Sequence, residues 1–226
     1  MKSGLMIVLA SVACGVGVSV WQTTSRAADD PAVVPAVVAT SAAVGTAEDK
    51  STYTYVGSKK CKKCHIAVYK SWSKTLMGQA FEALKPGNAK ENKEKFKIDL
   101  TKDFSRDEKC VKCHTVGFGK PGGYKIPDLS DKKAVRKSKA FQGIGCEMCH
   151  GPGSEYVKVF KEILKSKRTY TDEELYAVGL KKIDADTCKQ CHNEESPTIN
   201  PGDPFDFEEK KKKGIHDHQK LKQRQT

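Results

Sequence analysis

Eight of the nine cysteines fall into four pairs with two residues between the members: Cys61/Cys64, Cys110/Cys113, Cys146/Cys149 and Cys188/Cys191. A histidine follows each pair at once (His65, His114, His150 and His192), which uses four of the six histidines in the chain. Thiols at i and i+3 lie on one face of a helical turn, and an imidazole at i+4 falls on the same face. C-x-x-C-H is the motif in which two thiols bond the vinyl groups along one porphyrin edge and the histidine reaches the iron. The spacing predicts four covalently bound haem c groups, with the eight cysteines as thioether donors and the four histidines as proximal iron ligands. Paired C-x-x-C also builds zinc ribbons, but zinc does not require a histidine after every pair. A thioredoxin-like site has one C-x-x-C in a βαβ setting. Disulfides suit an exported chain, yet they leave the histidines unexplained.

Six-coordinate iron needs a distal ligand as well. Beyond the motifs only His216, His218, Met77 and Met148 offer His or Met donors downstream of the leader. Met148 lies inside the third motif, where the helix carries it away from the distal side of its own haem. Met77, His216 and His218 are therefore the distal candidates, three for four irons. Met77 also shares a helical face with Phe81 and Leu84, so a core role competes with ligation. In extended chain His216 and His218 point to opposite sides and would serve different haems; solvated tail histidines are the competing reading.

These sites need a compartment and a scaffold. Residues 1–28 carry Lys2, an apolar stretch from Leu5 to Trp21 and small residues before Ala27 and Ala28, the pattern of a signal peptide. A retained anchor and a lipoprotein route through Cys14 are the alternatives. Residues 29–52 are Ala-, Val- and Pro-rich without a helical or strand period and are expected to form a flexible tether. Residues 53–226 form the expected tetrahaem domain. The chain is exported, with the periplasm as the expected location and membrane association only through a retained or lipidated leader.

A mean hydropathy of −0.58 with 30% charged residues excludes a multi-span membrane protein. The net charge of +12 loses Lys2 and Arg26 with the leader, and haem propionates would offset much of the remainder. Nothing beyond this overall charge supports nucleic-acid binding. The residual basicity points to redox-protein partners with acidic docking surfaces. Lys62, Lys63, Lys112 and Lys189, beside the motifs, are either solvated or paired with propionates.

Helical signals dominate. Ile66–Leu84 places Tyr69, Trp72, Leu76 and Ala80 at helical spacing. Ser154 is expected to cap Glu155–Lys165, with Tyr156, Phe160, Ile163 and Leu164 inward. Thr171 and Glu174 form a capping box for a short helix closed by Gly179. Gly117–Pro127 and Ser196–Pro204 are expected loops, and a basic helix is expected before Gly214. The fold class is mainly α and loop-rich, a multihaem cytochrome whose haems form the core.

Flanking segments refine the picture. Tyr55-Val56-Gly57-Ser58 before CKKCH, Tyr69 and Trp72 after it, GIGCEMCHGPGSEY at 143–156, and CHNEESP followed by FDFEEKKKKGIHDH resemble the tetrahaem cytochrome c-554 family of exported electron carriers. The resemblance covers about Tyr55 to Leu221. It implies closely packed haem pairs, mixed axial ligation and one haem open on its distal side. Residue 77 is often a ligating histidine in relatives, so the resemblance makes His65/Met77 the natural ligand pair here. The leading function is electron transfer through four haems, without enzyme activity. The alternatives are reduction of a small nitrogen oxide at an open haem, or a subunit of an extracellular cytochrome filament. Every motif ends in His rather than Lys, which points away from a haem nitrite reductase.

Overall fold

The computed structural model describes residues 49–198, 205–213, 215–219 and 221–225. The expected signal segment, residues 29–48 of the tether, residues 199–204 of the second loop and Gly214 lie outside the described residues.

Ten short α-helices carry the described chain: α1 Ser58–Cys61, α2 Ile66–Trp72, α3 Lys90–Lys95, α4 Glu108–His114, α5 Lys132–Ser138, α6 Cys146–His150, α7 Ser154–Ser166, α8 Asp172–Ala177, α9 Ala185–Lys189 and α10 Phe207–Lys213. Strand pairing among the described residues is limited to the isolated bridges Thr115–Gln142 and Tyr170–Arg224. None of these helices is long and apolar enough to cross a membrane. A 3-10 turn at Lys50–Thr52 places folded structure ahead of Tyr53, where the Lys50 ammonium donates to the Tyr176 carbonyl.

Side-chain caps start the helices of the second and fourth motifs, whereas α1 and α6, of the first and third, start at glycines. Asp107 accepts from Lys109 N–H ahead of α4, and Asp184 accepts from Thr187 N–H ahead of α9. Each side chain satisfies a backbone donor that the first helical turn leaves without a partner. The first motif starts differently. Gly57 has φ +83°, and a Cβ there would meet the Ala140 carbonyl oxygen at 2.9 Å, so only glycine lets the chain turn into α1 against that segment.

Apolar packing is divided between two small clusters. One joins Phe81, Leu84, Val111, Val116, Tyr124 and Phe141. The other joins Phe160, Ile163, Tyr170 and Leu175. Cys110 and Met148, from the second and third motifs, pack against the first of these clusters.

Two expected elements differ. The helical period from Ile66 stops at Trp72, and residues 73–80 continue as turns. Thr75 explains the stop: its hydroxyl donates to the Trp72 carbonyl at 2.7 Å and accepts from Gly78 N–H at 3.1 Å. This local bonding competes with the helix. It leaves Leu76 89% exposed, not packed with Tyr69 and Trp72. Helix α7 matches its expected span within a residue, but Ser154 does not cap it. Its hydroxyl accepts from Thr54 N–H, and Ser154 N–H donates to the Thr54 carbonyl. Phe160 and Ile163 are buried as expected, whereas Leu164 turns outward.

Candidate haem centre

None of the eight motif cysteines is in a disulfide; Cys64 is exposed and the other seven are half-buried. In the first and fourth motifs the histidine N–H donates to the carbonyl of the first cysteine, His65 to Cys61 and His192 to Cys188, each at 2.9 Å. That helical turn sets both thiols and the imidazole on one side.

The motifs are ordered differently in space and in sequence. The Cys61 thiol contacts that of Cys146, which pulls Cys146 down to about 7 and pushes Cys61 up. Cys113 meets Cys191 in the same way: contact with Cys191 pulls Cys113 down to about 7 and pushes Cys191 up. Burial, followed by the nearby Cys188, pushes Cys149 up to about 11. Thioether bonds would abolish these protons but keep the proximity. The spatial series is first, third, fourth, second.

The imidazoles are held neutral. Burial lowers the pKa of His65, His114 and His192. Burial, then the nearby His216, His65 and His218, brings His150 down to about 4. Neutral imidazole is the form that binds iron. His114 is oriented as well: its Nδ1 lies 2.6 Å from the Ala80 carbonyl oxygen, where an Nδ1–H donates and leaves Nε2 as the free donor. The segment carrying Ala80 is docked through Met77, whose carbonyl accepts from Ile144 N–H, and through Trp72, whose indole N–H donates to the Ile144 carbonyl.

A cavity of about 400 Å³ runs between the first and third motifs, lined by Cys61, His65, Cys146, Cys149 and His150. All three distal candidates line it too: Met77, His216 and His218. The two tail histidines converge, their ring centres 5.1 Å apart, instead of facing opposite ways. The chain bends at 215–216, and Asp217 N–H donates to the Ser71 hydroxyl at 2.9 Å, which docks this segment on α2. His216 is the nearer to the third motif, with 6.4 Å between its ring centre and that of His150. At the fourth motif, Phe205 stacks on His192 at 4.3 Å.

Residues not singled out from the sequence complete the centre. Glu147, between the cysteines of the third motif, is 3% exposed. Its carboxylate accepts from Val56 N–H, from Gly57 N–H at 2.7 Å and from Gly153 N–H at 2.7 Å. Burial pushes its pKa up, and the three N–H donors oppose that shift. Tyr156 places its hydroxyl 3.0 Å from His65 Nε2. Glu155 and Glu147 look alike in sequence; only the tertiary placement separates a solvated carboxylate from a clasped one. Of the four lysines beside the motifs, Lys112 pairs with Glu195, Lys189 with Asp186, and Lys62 lies over the Tyr69 ring.

This donor set fits haem c: four C-x-x-C pairs, each followed by an imidazole that burial holds neutral, and a cavity between two motifs that their cysteines and histidines line. A mainly helical, loop-rich chain with four C-x-x-C-H motifs defines a multihaem c-type cytochrome. Residues 60–151 match the family described as cytochrome c554 and c-prime. Over 188 residues the chain is 35% identical to cytochrome c-554 of Nitrosomonas europaea, an alignment covering 74% of this chain and 77% of that protein. The structure of reduced cytochrome c554 from Nitrosomonas europaea superposes with a TM-score of 0.64 at 33% identity, covering 77% of this chain and 90% of that one. The chain belongs to the cytochrome c-554 family.

Proposed function

We propose that this protein is a periplasmic electron carrier that relays electrons through four haem c groups, bound by Cys61/Cys64/His65, Cys110/Cys113/His114, Cys146/Cys149/His150 and Cys188/Cys191/His192. The bound haems supply a one-electron ferric–ferrous couple whose potential is set by the axial ligands and the burial of each site. The observation that supports this reading is the series of thiol contacts Cys61–Cys146 and Cys191–Cys113, joined by the proximity of Cys149 to Cys188. Attachment edges that close make a continuous path of neighbouring cofactors, which a carrier needs and a single-site enzyme does not.

The chain's own groups hold this path. Each imidazole is kept neutral by burial, the Ala80 carbonyl fixes the tautomer of His114, and the Glu147 clasp locks the first motif against the third. His216, whose ring centre lies 6.4 Å from that of His150, would be the second imidazole to hold the iron of the third haem. Met77 and His218 remain further donor candidates at the same cavity. The partners are redox proteins with acidic docking surfaces, matched to the basic character of the chain.

Intact mass under denaturing conditions tests the assignment. The mature chain is expected to exceed its peptide mass by four haems, with no thiol left to alkylate. Free thiols at any pair would overturn the four-haem reading.

A further inference from the structure

The His and Met candidates number fewer than the four irons, and α7 brings a further donor to the first motif. Tyr156 Oη stands 3.0 Å from His65 Nε2, the ring nitrogen that the motif turns toward iron. The phenol is firmly placed. Its ring stacks on Phe160 at 5.3 Å and 14°, and Phe160, only 4% exposed, lies 4.9 Å from the His65 ring. Helix α7 is pinned one turn before Tyr156 by the reciprocal Thr54–Ser154 hydrogen bonds and by Gly153 N–H on Glu147. Both cavities that touch His65 are lined by Tyr156.

We propose that Tyr156 supplies the distal oxygen ligand of the haem held by Cys61, Cys64 and His65, an inference that rests on the haem assignment of that motif. In the protein chain alone, the groups destined for opposite sides of a metal meet each other directly. A metal bound at about 2 Å on either side parts them to about 4 Å, so the Tyr156 side chain has only about 1 Å to give. Tyrosine is an established type of axial haem ligand. As a hard oxygen donor it favours ferric over ferrous iron, setting this haem below its His216-facing neighbour in potential.

The test compares the purified holoprotein with Tyr156→Phe, Tyr156→His and Met77→Leu, by ferric EPR, spectropotentiometry and haem mass on the peptide containing Cys61. Tyr156→His is expected to convert one haem in four from a high-spin to a low-spin ferric signal. Tyr156→Phe is expected to raise the potential of that same haem and open it to carbon monoxide, while Met77→Leu leaves its signal in place. Unchanged EPR and potentials in both Tyr156 variants, with haem on the peptide, would overturn the ligand assignment alone. Loss of the same signal in Met77→Leu would also overturn it, in favour of the thioether. A Cys61 peptide without haem in the parent protein would instead remove the haem assignment and this inference together.

Discussion

Glu147 holds Gly57 across 90 residues of chain, accepting its N–H at 2.7 Å. The same carboxylate takes the N–H groups of Val56 and Gly153, so one side chain from the third motif fixes both the entry to the first motif and the approach to α7. Hydrogen bonds to a charged acceptor are worth more than neutral ones, and buried donors left without a partner are costly.

Glu147→Ala is therefore expected to destabilise the holoprotein by about 3 kcal/mol or more, since three N–H groups lose their acceptor at roughly 1–3 kcal/mol each. Glu147→Gln retains one acceptor oxygen and is expected to lose less. Chemical denaturation followed in the Soret region measures both. Equal stability of Glu147→Ala and the parent would show that the clasp contributes nothing.

Gly143 offers a second test. It has φ +82°, and a Cβ there would meet the Gly78 carbonyl oxygen at 2.6 Å and that of Met77 at 3.2 Å. Gly143→Ala is expected to cost about 1–2 kcal/mol for the left-handed backbone alone, with the clash added. Because the displaced segment carries the Ala80 carbonyl that His114 meets, the spectrum of the second haem is expected to shift along with the melting temperature. A lower melting temperature with unaltered haem spectra would separate the packing from the ligand orientation.

The tail histidines are expected to behave unequally. His216 is the one in ring contact with His150, and His218 meets His216. His216→Ala is expected to open one additional haem to carbon monoxide, counted by titration of the reduced holoprotein. His218→Ala is expected to open none. The reverse result would exchange their assignments.

Lys112 and Glu195 tie the second motif to the chain just past the fourth. The Lys112 ammonium lowers the Glu195 pKa below its ordinary 4.5. A carboxylate whose folded pKa is lowered contributes stability above its unfolded value, and that contribution fades as pH falls through the folded one. Both partners are exposed, so salt weakens the pair as well. Hydrogen-exchange protection at residues 193–196, corrected for the intrinsic pH dependence of exchange, is expected to fall below about pH 4.5 or in high salt, and Glu195→Gln is expected to remove both dependences.

Covalent chemistry made the motifs legible, because vinyl spacing and iron reach leave the sequence no freedom between Cys61 and His65 or in the other three. The Thr171 cap was legible for a similar reason: the hydroxyl accepts Glu174 N–H at a fixed offset of three, although the Glu174 carboxylate turns to Arg168 and does not close the expected box. Periodicity failed at Thr75, where a single hydroxyl took over the Trp72 carbonyl and ended a pattern that residues 76–84 still display. Glu147 and Tyr156 were hidden for another reason. A glutamate between two cysteines resembles a solvated spacer, and a tyrosine on an amphipathic helix resembles core. Their roles arise from contacts 90 residues away, which no local window contains. The convergence of His216 and His218 likewise depends on the bend held by Ser71.

The order of the motifs in space interlocks the two halves of the chain. A break anywhere between His65 and Cys146 parts Cys61 from its neighbour, and a break between His114 and Cys188 parts Cys113 from Cys191. These intervals overlap, so a nick in the Gly117–Pro127 loop would sunder both pairs at once. Shortening the chain from its C-terminal side leaves the first and second motifs, the two ends of the series, without their neighbours, whereas the third and fourth stay side by side through Cys149 and Cys188. Both ends of the relay are thus lost together, unlike domains strung in series.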